Sequence, residues 1–173
     1  MRGQVDVIYT DVTKALDRVD HCILLQKLSE FGVHGLLRNW FSSYLTGRRQ
    51  FVSYNGFSSG KYSQVSGVPQ SSILGPLLFS VYINDTVSDL RSHALLFAGD
   101  LKNYQQVVSI EDCIMLQEDL EAIDKWCRQN NFGLNIGKCA VVSLSRKTDS
   151  ITFEYSCGNT NVARHSIRKD LGV

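Results

Sequence analysis

The chain has no run approaching the roughly 18 apolar residues of a membrane-crossing helix. It also has no C-x-x-C pair and no histidine at ligand spacing from a cysteine. No transmembrane helix is therefore expected. The cysteines, Cys22, Cys113, Cys127, Cys139 and Cys157, are odd in number and widely spaced, so neither a disulfide framework nor structural zinc is expected. Met1 is followed by Arg2, Gly3, Gln4 and Asp6 rather than a basic stub and a long apolar run, so no secretory signal is read. The expectation is an intracellular protein without a membrane partner, cytoplasm and nucleus not being distinguishable. Charge of one sign is lacking too: 18 Lys and Arg face 17 Asp and Glu, for a net +1. That excludes a uniformly basic, tail-driven nucleic-acid binder, so any polyanion has to be held locally. There is no repeat, no low-complexity segment and no internal linker.

What is present is an ordinary globular composition, 43% apolar and 20% charged over 173 residues. A single domain of this size buries roughly 70% of its extended surface. Gln4 to Val12 is rich in β-branched and aromatic residues and reads as a largely buried strand that delivers Asp11 at its C-terminal end. Asp20 reads as the cap of a helix carrying Ile23, Leu24, Leu25, Leu28 and Phe31, ended by Gly32. A second helix is expected over Leu36 to Leu45. Asn55-Gly56 between apolar runs predicts a hairpin with strands near residues 49–54 and 60–65.

A loop around Gly67 and Pro69 then feeds an apolar helix from about Ile73 to Ile83, with Pro76 early enough to be harmless. His93 to Ala98 and Asn103 to Val108 read as a second hairpin, with Gly99-Asp100 as its acidic turn. Ser109 and Asp112 form a capping box for a helix to about Gln129, striped by Cys113, Leu116, Leu120, Ile123 and Cys127. Strands are expected at Ala140 to Leu144 and at Ile151 to Tyr155. This order suits an α+β fold, an antiparallel sheet with helices packed on one face.

In such a sheet the first strand can lie beside the second hairpin, so Asp11 and Asp100 can meet. Two carboxylates from neighbouring strands can hold magnesium, which prefers oxygen ligands and bridges to substrate phosphates. Two-ion phosphoryl transfer needs several carboxylates converging on ions about 3.5 to 4 Å apart. Only Asp11 and Asp100 are clearly available.

Four segments, DVTKALDRVDHCILLQKL, SGVPQSSILGPLLFSVYIND, LLFAGDLKNY and LNIGKC, occur in this order. Together with the closing IRKDLGV, they resemble the palm of reverse transcriptases from non-LTR, LINE-type, jockey-like retrotransposons. The resemblance implies a polymerase palm fold, RNA-directed DNA polymerase activity, an RNA template, a DNA primer, deoxynucleoside triphosphates and Mg2+. It implies nothing about oligomeric state. Residues 1–173 would form a partial domain, the palm, without fingers, thumb or endonuclease.

Residue by residue, the resemblance puts Asp11 on the metal-binding aspartate of a motif usually written Asp-Phe-Ser-Lys-Ala-Phe-Asp, with Lys14, Ala15 and Asp17 also matching. Leu16 stands where an aromatic residue lies under the incoming sugar, so the flat plate that excludes a 2′-hydroxyl is missing. Ser66, Gly67, Val68, Pro69, Gln70 and Ser72 match the loop that carries the template and the incoming nucleotide. Ser71 replaces its second glycine, adding a Cβ where backbone takes positive φ or approaches a ligand.

The hairpin motif, Phe-Ala-Asp-Asp in the family, reads Phe97, Ala98, Gly99, Asp100 here. Gly99 therefore takes the place of a metal-ligating aspartate and Asp100 that of its neighbour. For Asp100 to act for the missing ligand, the hairpin would need a bulge. Lys138 matches a lysine proposed to protonate departing pyrophosphate.

The basic pairs Arg48-Arg49, Arg146-Lys147 and Arg168-Lys169 read as solvated surface, and Trp40, Trp126 and several tyrosines as possible stacking surfaces. Two or three such pairs imply weak, salt-dependent nucleic-acid binding. The functional readings are thus a reverse transcriptase domain made inactive by Gly99, a non-catalytic nucleic-acid-binding remnant, or a decayed element product without selected function.

Overall fold

The computed structural model describes residues 3–97, 99–146 and 149–167. Ala98, Lys147, Arg168, Lys169 and the rest of the closing segment lie outside the described residues. Where composition reads as one domain, the chain divides into two compact units, Lys14–Asn84 and the remainder, Met1–Thr13 with Asp85–Val173.

In chain order the elements are β1 (Gln4–Asp11), α1 (His21–Glu30) and α2 (Gly35–Leu45), then the two-residue strands β2 (Arg49–Gln50), β3 (Ser53–Tyr54), β4 (Phe57–Ser58) and β5 (Tyr62–Ser63). There follow α3 (Leu74–Ile83), β6 (His93–Phe97), β7 (Asp100–Val107), α4 (Ile110–Gln129) and β8 (Ala140–Ser145), and last the short strands β9 (Ser156–Cys157), β10 (Thr160–Asn161) and β11 (Arg164–His165).

The discontinuous unit is built on a five-stranded sheet in the order β11-β8-β1-β7-β6. Its pairings are antiparallel except that of β11 with β8. Strand alternation splits β1 into two faces. Gln4, Asp6, Ile8 and Thr10 are buried, while Val5, Val7, Tyr9 and Asp11 are only half-buried. The polar residues thus lie on the more buried face, the reverse of what the valines suggest.

Asp6 tolerates full burial because it accepts hydrogen bonds from Ser143 Oγ at 2.6 Å, Tyr155 Oη at 2.9 Å and Gln4 Nε2 at 3.0 Å, with Arg164 3.7 Å away. A buried carboxylate without such partners would cost several kcal/mol. Across this face lies α4, whose Cys113, Leu116 and Leu120 pack with Ile8, Val107 and Val141. The capping box at Ser109 and Asp112 starts that helix as expected. Asp119, buried on it, accepts from the backbone amides of Arg91 and Ser92 and ties α4 to the start of β6.

The structure corrects two expected elements. The return strand of the second hairpin begins at Asp100, not Asn103, because Phe97 already pairs with Asp100 across a two-residue turn. Residues Ile151 to Tyr155 form no strand. There, side chains take the place of a partner strand. Gln4 bonds both the N–H and the C=O of Ile151, and Gln117 accepts from the amide of Ser156.

In the Lys14–Asn84 unit, Asp20 Oδ1 caps α1 by accepting from the amides of Cys22 and Ile23. Leu24, Leu28, Leu45, Leu78 and Tyr82 are buried. Asn55 and Gly56 have φ of 49° and 81°, the two left-handed residues of a hairpin turn, between β3 and β4. No described helix is long and apolar enough to cross a membrane.

Candidate active site

Asp11 closes β1 and Asp100 opens β7, and the two are direct cross-strand partners. Partners in an antiparallel pair share a face with Cα atoms about 4.5 to 5.5 Å apart. This face is the one turned away from α4. The register is unbroken from Gln4 opposite Val107 to Asp11 opposite Asp100. Two like charges directly opposite repel. Part of that repulsion is offset by Lys138, whose Nζ lies 3.8 Å from Asp11 Oδ2. Lys138 is 67% exposed and Asp11 26%, so the pair sits at the rim, open to water.

Local backbone explains how the lysine gets there. The amide of Asn135 donates to Asp11 O at 2.8 Å and that of Thr13 to Gly133 O at 3.0 Å. The loop before β8 is thereby clasped to the end of β1, and a short 3-10 turn, Ile136–Lys138, presents the ammonium. Two residues further in, on the same face, Lys102 lies opposite Tyr9, its Nζ 5.5 Å from the ring centroid. Gly99 sits in the turn and carries no donor.

No group of three or more His, Cys, Asp or Glu side chains able to hold a metal exists among the described residues. Asp11 and Asp100 are thus two donors, one of them engaged by a lysine. That is short of the converging carboxylates of a two-ion centre.

The other expected site residues all belong to the Lys14–Asn84 unit. The loop from Ser66 to Ser72 is pinned on the turn Ala15–Asp17 by Ser66 Oγ to Asp17 O at 2.9 Å, Gly67 N to Val19 O at 2.8 Å and Val68 N to Leu16 O at 2.9 Å. Gln70 Nε2 donates to Asp17 Oδ1 at 2.6 Å. Gly67, at φ +85°, has no room for a side chain, since a Cβ would lie 2.9 Å from Asp17 Cα. Pro69 O accepts from Ser72 Oγ, which in turn accepts from the amide of Gly75 and so starts α3. Ser71 has φ 58°, the left-handed conformation anticipated from its replacing a glycine. Leu16, 38% exposed, lies in the turn itself.

A cleft of about 550 Å³ in this unit is lined by Lys14, Asp17, Val68 and Gln70 and, from the hairpin, Arg48, Gln50, Tyr62 and Gln64. Sequence reasoning read Arg48-Arg49 as solvated surface and did not place them in a cleft. The signal that marks them is charge: between Glu30 and Asp85 there is no acidic residue, but Arg38, Arg48, Arg49 and Lys61 all occur. Of the proposed stacking residues, Trp126 is engaged with Asp85 and Phe132, whereas Trp40 is half-exposed and stacked on Tyr44.

The reverse transcriptase (RNA-dependent DNA polymerase) family matches residues 3–162. The RNA-directed DNA polymerase from mobile element jockey of Drosophila melanogaster is 29% identical over 174 residues, covering 95% of this chain and 19% of the relative. The probable RNA-directed DNA polymerase from transposon X-element of the same species is 32% identical over 152 residues, 82% of this chain and 16% of the relative. The chain therefore spans less than a fifth of the length of these relatives.

Telomerase from Candida tropicalis, solved in complex with a TWJ fragment of telomeric RNA, shares the fold with a TM-score of 0.65 at 12% identity, over 87% of this chain and 28% of that one. The α+β fold, with its antiparallel-dominated sheet crossed by α4, is thus a palm-type polymerase fold, and the chain belongs to the reverse transcriptase (RNA-dependent DNA polymerase) family, among the jockey-like elements.

Proposed function

We propose that this chain is the palm portion of an RNA-directed DNA polymerase whose nucleotidyl-transfer centre has lost a metal ligand, so that it binds its ligands without extending a primer. The ligand class is that of the family: an RNA template, a DNA primer and deoxynucleoside triphosphates. The setting is intracellular.

The observation that carries the reading is the pair Asp11 and Asp100, brought together as cross-strand partners with Gly99 beside them and Lys138 against Asp11. Reverse transcriptases use divalent ions. Asp11 and Asp100 are the residues that would hold Mg2+, but two carboxylates do not fit a two-ion centre. The positive charge of Lys138 further weakens Asp11 as a cation ligand, and in this reading Lys138 is the group that would protonate departing pyrophosphate.

Gln70 and the loop of Ser66, Gly67, Pro69 and Ser71 are the nucleotide and template contacts in this reading. Support comes from the hydrogen bonds and the steric fit that fix the loop's backbone. Leu16 fills the place of the sugar gate with a flexible side chain, which weakens discrimination against ribonucleotides.

The test is Mg2+-dependent extension of a DNA primer on an RNA template by the purified chain. No product above the enzyme-free control is expected, and templated extension would overturn the reading.

A further inference from the structure

His21 opens α1 and is only 7% exposed. A buried imidazole needs a partner for its N–H, and this one finds it in the backbone of the Ser66–Ser72 loop, where Nε2 lies 2.8 Å from Gly67 O. A carbonyl oxygen only accepts, so Nε2 carries a proton and donates it. The start of the helix aims the ring. Asp20 Oδ1 takes the amides of Cys22 and Ile23 and so fixes where residue 21 stands.

Gly67 is the tightest point of the loop. It is wedged against Asp17 at φ +85°, with its N–H given to Val19 O and its C=O held by His21. Both of its polar groups are thus used to hold one conformation. Two residues on, Pro69 O is gripped as well. Ser72 Oγ donates to it at 2.6 Å, Tyr44 Oη donates to that hydroxyl at 3.2 Å, and a Cβ at Gly75 would lie 2.3 Å from the same oxygen. The carbonyls of the loop are therefore met from α1, α2 and α3 in turn. Gly67, Val68 and Pro69 are buried and Gln70 and Ser71 exposed, so the loop is a fixed stem with an open head.

We infer that His21 is a positioning residue: by donating from Nε2 to Gly67 O it sets the stem and so aims Gln70, while remaining itself out of reach of any ligand. That role rests on the reading of this loop as the nucleotide and template contact. All the residues involved belong to the Lys14–Asn84 unit.

The test compares His21→Gln, His21→Asn and His21→Leu in the full chain by hydrogen exchange, followed amide by amide by NMR. A glutamine amide reaches about as far as Nε2, an asparagine amide only as far as Nδ1, and leucine donates nothing. In His21→Leu and His21→Asn the amides of Gly67 and Val68 are expected to exchange about tenfold faster, as for the loss of one buried hydrogen bond. Those of Leu24 to Leu28 should keep their rates, and His21→Gln should restore slow exchange in the loop. Rates raised evenly through the unit, or a loop as protected in His21→Leu as in His21→Gln, overturn the assignment. So does a neutral ring whose nitrogen-15 spectrum shows the proton on Nδ1.

The effect on the ligand is read by grafting residues 1–173 with Gly99→Asp into the matching segment of an active jockey-type polymerase. There His21→Leu is expected to raise the nucleotide KM about tenfold at a nearly unchanged kcat, and His21→Gln to restore it. A loosened loop with an unchanged KM overturns the aiming of Gln70. Absence of extension from every graft, those with His21 included, counts instead against the polymerase reading, and the exchange rates still decide what His21 holds.

Discussion

Replacing Ser71 by glycine is expected to make the protein more stable. Ser71 sits at φ 58°, a conformation that costs an L-residue about 1 to 2 kcal/mol. Glycine removes that cost but gives back about 0.5 to 1 kcal/mol in the flexibility of the unfolded chain. The net gain is therefore about 0.5 to 1 kcal/mol. Ser71 is exposed, so no packing offsets it.

The two tryptophans allow the effect to be read in the unit that holds it, since Trp40 lies in the Lys14–Asn84 unit and Trp126 in the other. In a Trp126→Phe background, urea unfolding followed by Trp40 fluorescence should show the midpoint rise by about 0.5 to 1 M, for a slope near 1 kcal/mol per M. Ser71→Ala serves as the control and should give no gain, because it keeps the Cβ. A midpoint that is unchanged or lowered in Ser71→Gly, or equally raised in Ser71→Ala, would refute the view that backbone strain resides at this position.

Three further outcomes are expected in the sheet unit. Asp6→Ala strips the acceptor from the buried Tyr155 hydroxyl and from Ser143, so Trp126-monitored unfolding should show a loss of about 1 to 3 kcal/mol. Asn103 is fully buried with both side-chain polar atoms unpartnered, and Asn103→Leu should raise stability by about 1 to 2 kcal/mol in the same assay. Burial, a Cys113 contact and the Asp6 charge push the Tyr155 phenol above its ordinary 10.0. Burial, with Cys157 and Cys139 nearby, pushes the Cys127 thiol from 9.0 up to about 12. Both groups are neutral when protonated, so their contribution is complete below the unfolded values; that of Cys127 is lost as pH rises from 9.0 through about 12, and that of Tyr155 begins to be lost above 10.0. Unfolding midpoints should fall over that window, less steeply in Tyr155→Phe.

Much of this was legible in the sequence because local chemistry and tertiary context agree there. The Asp20 cap, the Asn55-Gly56 turn and the Ser109-Asp112 box each act within a few residues, and each is found. Strand order allowed Asp11 and Asp100 to meet, and the β1–β7 register brings them opposite each other. The 151–155 segment was misread because its apolar residues do pack on the core, but the side chains of Gln4 on β1 and Arg164 on β11 meet its backbone groups, a partnership that no periodicity shows. Asp6 escaped notice for a related reason: its partners Ser143, Tyr155 and Arg164 come from the far end of the chain. That Arg48 and Lys14 line one cleft was not legible, because a net charge of +1 averages an acid-free stretch against an acidic remainder and their meeting is tertiary.

The most direct measurement grafts residues 1–173 into the matching segment of an active jockey-type polymerase and compares Gly99 with Gly99→Asp in templated primer extension. Only the ligand set differs between the two proteins. A lost metal carboxylate is worth several kcal/mol of transition-state stabilisation, and each 1.4 kcal/mol is about tenfold in rate. Gly99→Asp is expected to raise extension by about a hundredfold or more, with added Leu16→Phe acting mainly on ribonucleotide exclusion. Equal extension by the unmodified graft would contradict the claim that Gly99 disables this centre.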